Sequence, residues 1–153
     1  MFRTRLNEAL KEAMRAKTPR AVSTLRLILA ALKDRDIAAR GRGVTDGIDE
    51  EEILSMLQTM IKQRREAIAL YEQGGRLELA EQEREEIVII ETFLPKQFDD
   101  AEVRNVVAAV IADIGATSIK DMGRTMAELR TRYAGQMDFG KASGYVKEKL
   151  VQA

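Results

Sequence analysis

Apolar residues recur every three or four positions along most of the chain, and the runs break at Gly, Pro and Asp. That period is helical. Phe2 to Lys17 carries Leu6, Leu10 (or Ala9) and Met14 (or Ala13), which predicts a first helix. Thr18-Pro19 reads as an N-cap followed by proline at the first helical position. The second helix then runs to about Arg40, with Val22, Leu25, Ile28, Leu29 and Leu32 on one stripe. Gly41-Arg42-Gly43 ends it, and Gly47 lies in the same exposed loop. Asp49 and Glu52 have capping-box spacing, with Ile48 and Ile53 placed to close a hydrophobic staple. The acidic run Glu50-Glu51-Glu52 suits the positive end of a helix dipole. A third helix should reach about Gln73 and stop at Gly74-Gly75. A fourth follows from about Arg76 to Leu94, where Pro95 disfavours the helical conformation of its predecessor.

Asp99-Asp100-Ala101-Glu102 repeats the capping-box pattern. Val103, Val106, Val107, Val110, Ile111 and Ile114 follow it. Their β-branching raises the alternative of a strand, but the spacing is helical and the cap is in place, so a fifth helix is predicted up to Gly115. Ile119 (or Met122) to about Tyr133 gives a sixth, stopped by Gly135. Asp138 caps a seventh carrying Phe139, Ala142, Val146 and Leu150. The chain shows no internal repeat, low-complexity tract or convincing strand pair. The predicted fold is all-α: a four-helix N-terminal subdomain (1–95) and a three-helix C-terminal bundle (96–153), joined at Leu94-Pro95-Lys96-Gln97.

Composition narrows the chemistry. Among 153 residues, 45% are hydrophobic and 33% charged, enough for a core wrapped in long polar helices. There is no cysteine and no histidine. Disulfides, thiolate metal sites, a cysteine nucleophile, a His-based zinc site and a Ser-His-Asp triad are all excluded. Charges every few residues near the N-terminus argue against a signal peptide. No apolar run approaches the roughly 20 residues of a membrane span. A cytoplasmic location without membrane contact is the expectation. Net charge is zero, yet unevenly spread. Residues 1–43 hold eleven Lys/Arg against four Asp/Glu, residues 44–102 six against sixteen, and residues 103–153 eight against five. Such segregation either steers an anionic partner to one end or lets basic and acidic helices neutralise each other.

Several side chains stand out against this pattern. Arg64 falls inside the stripe Ile53, Leu57, Met60, Ile61, Ile68 and Tyr71, and Glu83 lies among Leu79, Ile87, Ile90 and Leu94. Charged groups on apolar faces need partners. Arg64 and Glu83 are therefore expected to pair across the third and fourth helices; the competing use of Arg64 is an anion site. Arg26, Lys33 and Arg40 follow one another in seven-residue steps, within about 40° of one line. They either snorkel along the core edge to meet the acidic fourth helix or face a phosphate backbone. Lys120, Arg124, Lys141 and Lys147 sit among Gly123, Gly135, Gly140 and Gly144. That combination is a solvated face or a nucleic-acid surface, without the interleaved aromatics of a stacking platform. Glu81, Glu83, Glu85 and Glu86 read as a solvated acidic face, since no loop of alternating oxygen ligands surrounds them. Gly41-Arg42-Gly43 and Gly74-Gly75 are helix stops, not phosphate loops. Neither Ser118 nor Ser143 has a general base beside it. No catalytic residue, metal site or cofactor is predicted.

Five segments carry a resemblance. Leu25 to Lys33 (LRLILAALK), Lys62-Gln63-Arg64-Arg65-Glu66, Glu91-Thr92-Phe93-Leu94-Pro95-Lys96-Gln97, Lys120 to Met126 (KDMGRTM) and, more loosely, Tyr133 to Lys141 (YAGQMDFGK) resemble the GatB/YqeY family, specifically its stand-alone YqeY-like members. The match spans essentially the whole chain in order. It departs at Ala67, where a small polar residue is the family expectation. The resemblance implies a larger N-terminal helical domain and a three-helix C-terminal domain. It also implies kinship with the tail of the B subunit of glutamine-dependent Asp/Glu-tRNA amidotransferase, a carbon–nitrogen ligase whose tail contacts tRNA and whose catalytic centres lie elsewhere. Two functions follow as expectations. One is a non-catalytic tRNA-binding accessory, with Lys96, Lys120, Arg124, Lys141 and Lys147 as candidate contacts. The other is a protein adaptor that docks amidotransferase subunits or another partner through helix faces, without RNA.

Overall fold

The computed structural model describes residues 1–152, and every regular element among them is helical. The order is α1 (Phe2–Arg15), α2 (Pro19–Arg40), α3 (Glu50–Gln73), α4 (Leu77–Glu91), α5 (Asp100–Ile114), a 3₁₀ turn (Ile119–Asp121), α6 (Met122–Tyr133) and α7 (Phe139–Gln152). The chain divides into two compact units, Met1–Leu94 with four helices and the residues from Pro95 onward with three.

Each unit has its own apolar core. In the first, Leu6 of α1, Leu25, Ile28 and Leu32 of α2, Ile53, Met56, Leu57 and Met60 of α3, and Ile87 and Ile90 of α4 are buried together with Phe93. In the second, Val103, Val107 and Val110 of α5 meet Met126 and Leu129 of α6 and Ala142, Val146 and Leu150 of α7. The expected stripes supply most of these residues. In α1, Ala13 takes the inward position and Met14 is half exposed.

Four helices end in the same way. At α2, α3 and α5 a glycine with positive φ (Gly43, Gly75, Gly115) follows the last turn. The next N–H then closes a six-residue ring: Val44 to Ala39 O, Arg76 to Tyr71 O, Ala116 to Ile111 O, all at 2.8 to 3.0 Å. This is the Schellman arrangement, which satisfies carbonyls that have no partner inside the helix. The end of α1 uses Lys17 at that position, with φ 53°. Thr18 N–H reaches Ala13 O at 3.1 Å. The first helix therefore stops at Arg15, two residues short of the expected Lys17. Thr18 does not cap α2 through its side chain, because its hydroxyl donates to Ala13 O at 3.2 Å.

The α4 helix also ends early, at Glu91 and not at Leu94. Thr92, Phe93 and Leu94 N–H groups bond to carbonyls three residues back, the tighter winding typical of a last turn. From α1, the Arg5 guanidinium donates to Thr92 O at 3.2 Å and lies 5.6 and 5.4 Å from the Phe2 and Phe93 ring centres. It closes the exposed carbonyl end of α4 and stacks between two aromatic faces.

At the start of α3, Asp49 accepts from the Glu52 N–H at 2.9 Å, while the Glu52 carboxylate faces Arg42 at 3.4 Å. At α5 the reciprocal box is complete: Glu102 N–H to Asp99 at 2.8 Å and Asp99 N–H to Glu102 at 3.3 Å. Segment 95–98 is held against the α6–α7 loop. Gln97 donates to Gly135 O at 2.6 Å, and Phe98 N–H bonds Gln136 O at 2.9 Å.

Candidate nucleic-acid interface

The basic residues of the second unit separate into two groups once their partners are known. Arg124 donates to Ile114 O at 2.7 Å and to Asp121 at 3.1 Å. It therefore closes the carbonyl end of α5 and ties it to the 3₁₀ turn. Asp121 is the hub of that corner. It accepts from Thr117 N–H at 2.8 Å and Ser118 N–H at 3.3 Å. These N–H bonds, led by that from Thr117, and then Arg124 hold its carboxyl below the usual range. Lys96 approaches Glu102 of the capping box at 3.6 Å, and Lys141 approaches Asp100 at 3.8 Å, both at exposed positions.

Lys120 and Lys147 are different. Both are exposed and make no ion pair among the described residues. Each lies three residues from a glycine, Gly123 and Gly144, at which an added Cβ would meet nothing within 4 Å. A glycine inside a helix costs about 0.5–1 kcal/mol relative to alanine, and no neighbour in this chain requires these two. The 3₁₀ turn that bears Lys120 packs against both α6 and α7. The same unit also holds two basic–aromatic pairs between helices, which the sequence spacing does not suggest. Arg104 sits 4.7 Å from the Tyr145 ring centre and Arg130 lies 5.8 Å from that of Phe139.

In the first unit, α3 and α4 run antiparallel: Arg65 pairs with Glu91, Arg64 with Glu86 and Glu72 with Arg84. Arg64 Nε lies 2.9 Å from Glu86 and 3.9 Å from Glu83, and its Nη1 donates to Met60 O. The nearer partner is thus Glu86, and not Glu83 as the helical stripe predicts. Arg64 and Glu86 side chains are each only 13% exposed. Burial, reinforced by the neighbouring Glu86 charge, holds the Glu83 carboxyl above its usual range, against the pull of Arg64. This network engages two of the guanidinium nitrogens, Nε and Nη1.

The stripe Arg26, Lys33, Arg40 does not reach α4. The ion pair between α2 and α4 is made by Arg20 and Glu85 at 3.1 Å. Arg26, Lys33 and Arg40 are exposed and form no ion pair among the described residues. Beside them, Arg3 of α1 makes a bidentate pair with Asp36 at 2.7 and 2.8 Å and donates to Ile48 O at 3.0 Å. Ile48 N–H returns a bond to Asp36 at 2.9 Å. The Arg3 bonds, then the Ile48 N–H, hold the Asp36 carboxyl at about 2. Gly47 is required here, because its φ is +88° and a Cβ would lie 2.6 Å from Arg3 Nη2. Nothing in the spacing of Arg3, Asp36 and Gly47 announced this junction.

No group of histidine, cysteine or carboxylate side chains among the described residues is arranged to hold a metal ion. No described helix is long and apolar enough to cross a membrane.

The architecture is that of a small all-helical protein with a four-helix and a three-helix unit and a set of unpaired surface cations. A profile described as "Yqey-like protein" matches residues 3–150, and the chain belongs to this YqeY-like family. Among curated proteins it is similar to one from Lachancea thermotolerans named "Altered inheritance of mitochondria protein 41, mitochondrial", with 33% identity over 89 residues, 58% of this chain and 46% of that one. A protein of the same name from Vanderwaltozyma polyspora is 32% identical over the same shares. A Schizosaccharomyces pombe protein named only as uncharacterized is 29% identical over 91 residues, 60% of this chain and 70% of that one. The chain spans about half the length of the yeast relatives named as mitochondrial.

Proposed function

We propose that this YqeY-family protein is a non-catalytic accessory that binds tRNA by its shape, through phosphate contacts, in the manner of the tail of a tRNA-dependent amidotransferase. The observation that carries this reading is the pairing of unpartnered Lys120 and Lys147 with open helical glycines, Gly123 and Gly144. An ammonium beside a helix surface with no side chain lets a sugar–phosphate strand approach the backbone closely. Arg124, Lys96 and Lys141 take lesser parts, since each already has a carboxylate nearby. The stacked pairs Arg104–Tyr145 and Arg130–Phe139 add faces on which an unstacked base can rest. The place of action is proposed as the cytoplasm, and as the organelle for the relatives whose names are mitochondrial.

Filter binding of tRNA across a salt series tests this. Micromolar or tighter affinity is expected at low salt, falling with salt in proportion to the phosphates contacted. Lys120→Ala and Lys147→Ala should each lower the salt slope by about one. Arg124→Ala should instead lower the thermal midpoint. No binding at low salt sinks the proposal.

A further inference from the structure

Between α1 and α2 lies an open cleft of about 340 Å³, lined by Arg3, Asn7, Leu29, Lys33, Ile37 and Arg40 over Leu32 and Asp36. Its chemistry is divided. The floor is apolar, and Ile37, in the last turn of α2, remains 49% exposed. The rim is cationic: Lys33 and Arg40 have no ion pair among the described residues, and neither does Arg26 further along the same line. The wall is fixed, because Arg3 and Asp36 are committed to each other and to Ile48.

Along α2 these residues form one ridge. Arg26, Lys33 and Arg40 recur at seven-residue steps, each about 10.5 Å apart, with Leu29 and Ile37 between them. A ridge that sets cations beside apolar side chains along an open cleft suits an amphipathic helix laid into it. Such a helix places carboxylates opposite the cations and apolar side chains opposite the cleft. A phosphate backbone matches this poorly, since it would leave Leu29 and Ile37 uncovered and would face Asp36. A second copy of this chain would offer its acidic α4, whose Glu83 and Glu86 are already committed to Arg64 and whose Glu85 is committed to Arg20.

We infer that the α1–α2 cleft is the docking groove for an acidic amphipathic helix of a partner protein, lying along α2. Lys33 and Arg40 meet carboxylates one heptad apart on that helix, and an apolar residue between them covers Ile37 and Leu29. Lys33 and Arg40 belong to the first unit, Lys120 and Lys147 to the second.

The probe is a fluorescein-labelled synthetic helix of three heptads, with Glu matched to the cations and Leu matched to the cleft, added to the full chain. Fluorescence anisotropy should show saturable binding at micromolar concentration, and a scrambled peptide of equal composition should bind at least about tenfold more weakly. Lys33→Glu with Arg40→Glu should abolish binding, and Ile37→Ser should weaken it at least about tenfold; the thermal midpoint of each variant is measured alongside, because Arg40 lies in the last turn of α2 and its charge acts on Asp36. Ile37→Ser keeps the charge intact and so separates groove docking from general attraction. Equal binding of the scrambled peptide overturns the inference, as does wild-type affinity in both variants. Concentration-dependent self-association lost on Lys33→Glu/Arg40→Glu, or a short RNA duplex displacing the helix from those residues, would assign the groove to those occupants instead.

Discussion

Arg3, Asp36 and the Gly47-Ile48 backbone form a junction in which one carboxylate serves a helix and a loop together. The folded-state value of about 2 for Asp36 lies below its ordinary 3.8. The stability it contributes is therefore fully present above about pH 4 and is lost as pH falls from there toward 2. Each pH unit of such a displacement corresponds to about 1.4 kcal/mol; solvent reaching Arg3 reduces the whole to roughly 1–2 kcal/mol. Urea unfolding at pH 7 and pH 2.5 should show Asp36→Asn less stable than the parent at pH 7, with the gap narrowed to roughly a third at pH 2.5. Thr24 provides the opposite case. Its side chain is fully buried on α2 and its hydroxyl has no hydrogen-bond partner among the described residues. A buried unpaired hydroxyl costs about 1 kcal/mol or more, so Thr24→Val should raise the thermal midpoint. A lower midpoint would mean that the hydroxyl is satisfied in solution.

Helices were legible from the sequence wherever the stop signal was a glycine or a cap, as at Gly74-Gly75, Asp99 and Gly115. The two misplaced ends were those set by other means. Lys17 takes a conformation that lysine rarely adopts, because Thr18-Pro19 must begin a new helix at once. Lys17→Gly should raise the unfolding free energy by about 0.5–1 kcal/mol, read from urea midpoints. The end of α4 is closed locally by the Thr92 hydroxyl, which donates to Ile89 O at 2.6 Å, and from a distance by Arg5, 87 positions earlier, which no local pattern reveals. The Arg64 pairing was legible only in part. Helical spacing puts both Glu83 and Glu86 toward α3, and packing selects the nearer. Arg64→Met should cost about 2–3 kcal/mol by leaving two half-buried carboxylates without a cation. Glu83→Gln, which removes like-charge repulsion from Glu86, should leave the urea midpoint at pH 7 unchanged or raised. Of the candidate nucleic-acid contacts, spacing named Lys120 and Lys147 but could not separate them from Arg124, whose role depends on the Ile114 carbonyl.

The whole molecule holds two cores with no residue in common. A unit of 59 residues is near the lower limit for folding alone, but the second unit closes its own entry: Gln97 and Phe98 are bound to the α6–α7 loop and Asp99–Glu102 completes the first cap. A fragment of residues 95–153 should be helical by circular dichroism and melt cooperatively. A broad, non-cooperative melt would show that its core requires the rest of the chain. If tRNA binds through Lys120 and Lys147, this fragment should retain most of the salt slope.

Arg5 between Phe2 and Phe93 also sets an order of events on the ribosome. The residues it closes upon are 87 and 88 positions later. At about 5–20 residues per second, the carbonyls and ring that Arg5 meets appear on the order of 4 to 17 seconds after α1 is made, long after α2, the helix against which α1 mainly packs. During that interval α2 can cover part of the apolar side of α1, while Phe93 is still missing from the core. Early translation therefore leaves an α1–α2 pair whose Arg5 and Phe2 lack their last partners, and a slow codon run before residue 94 would prolong that interval.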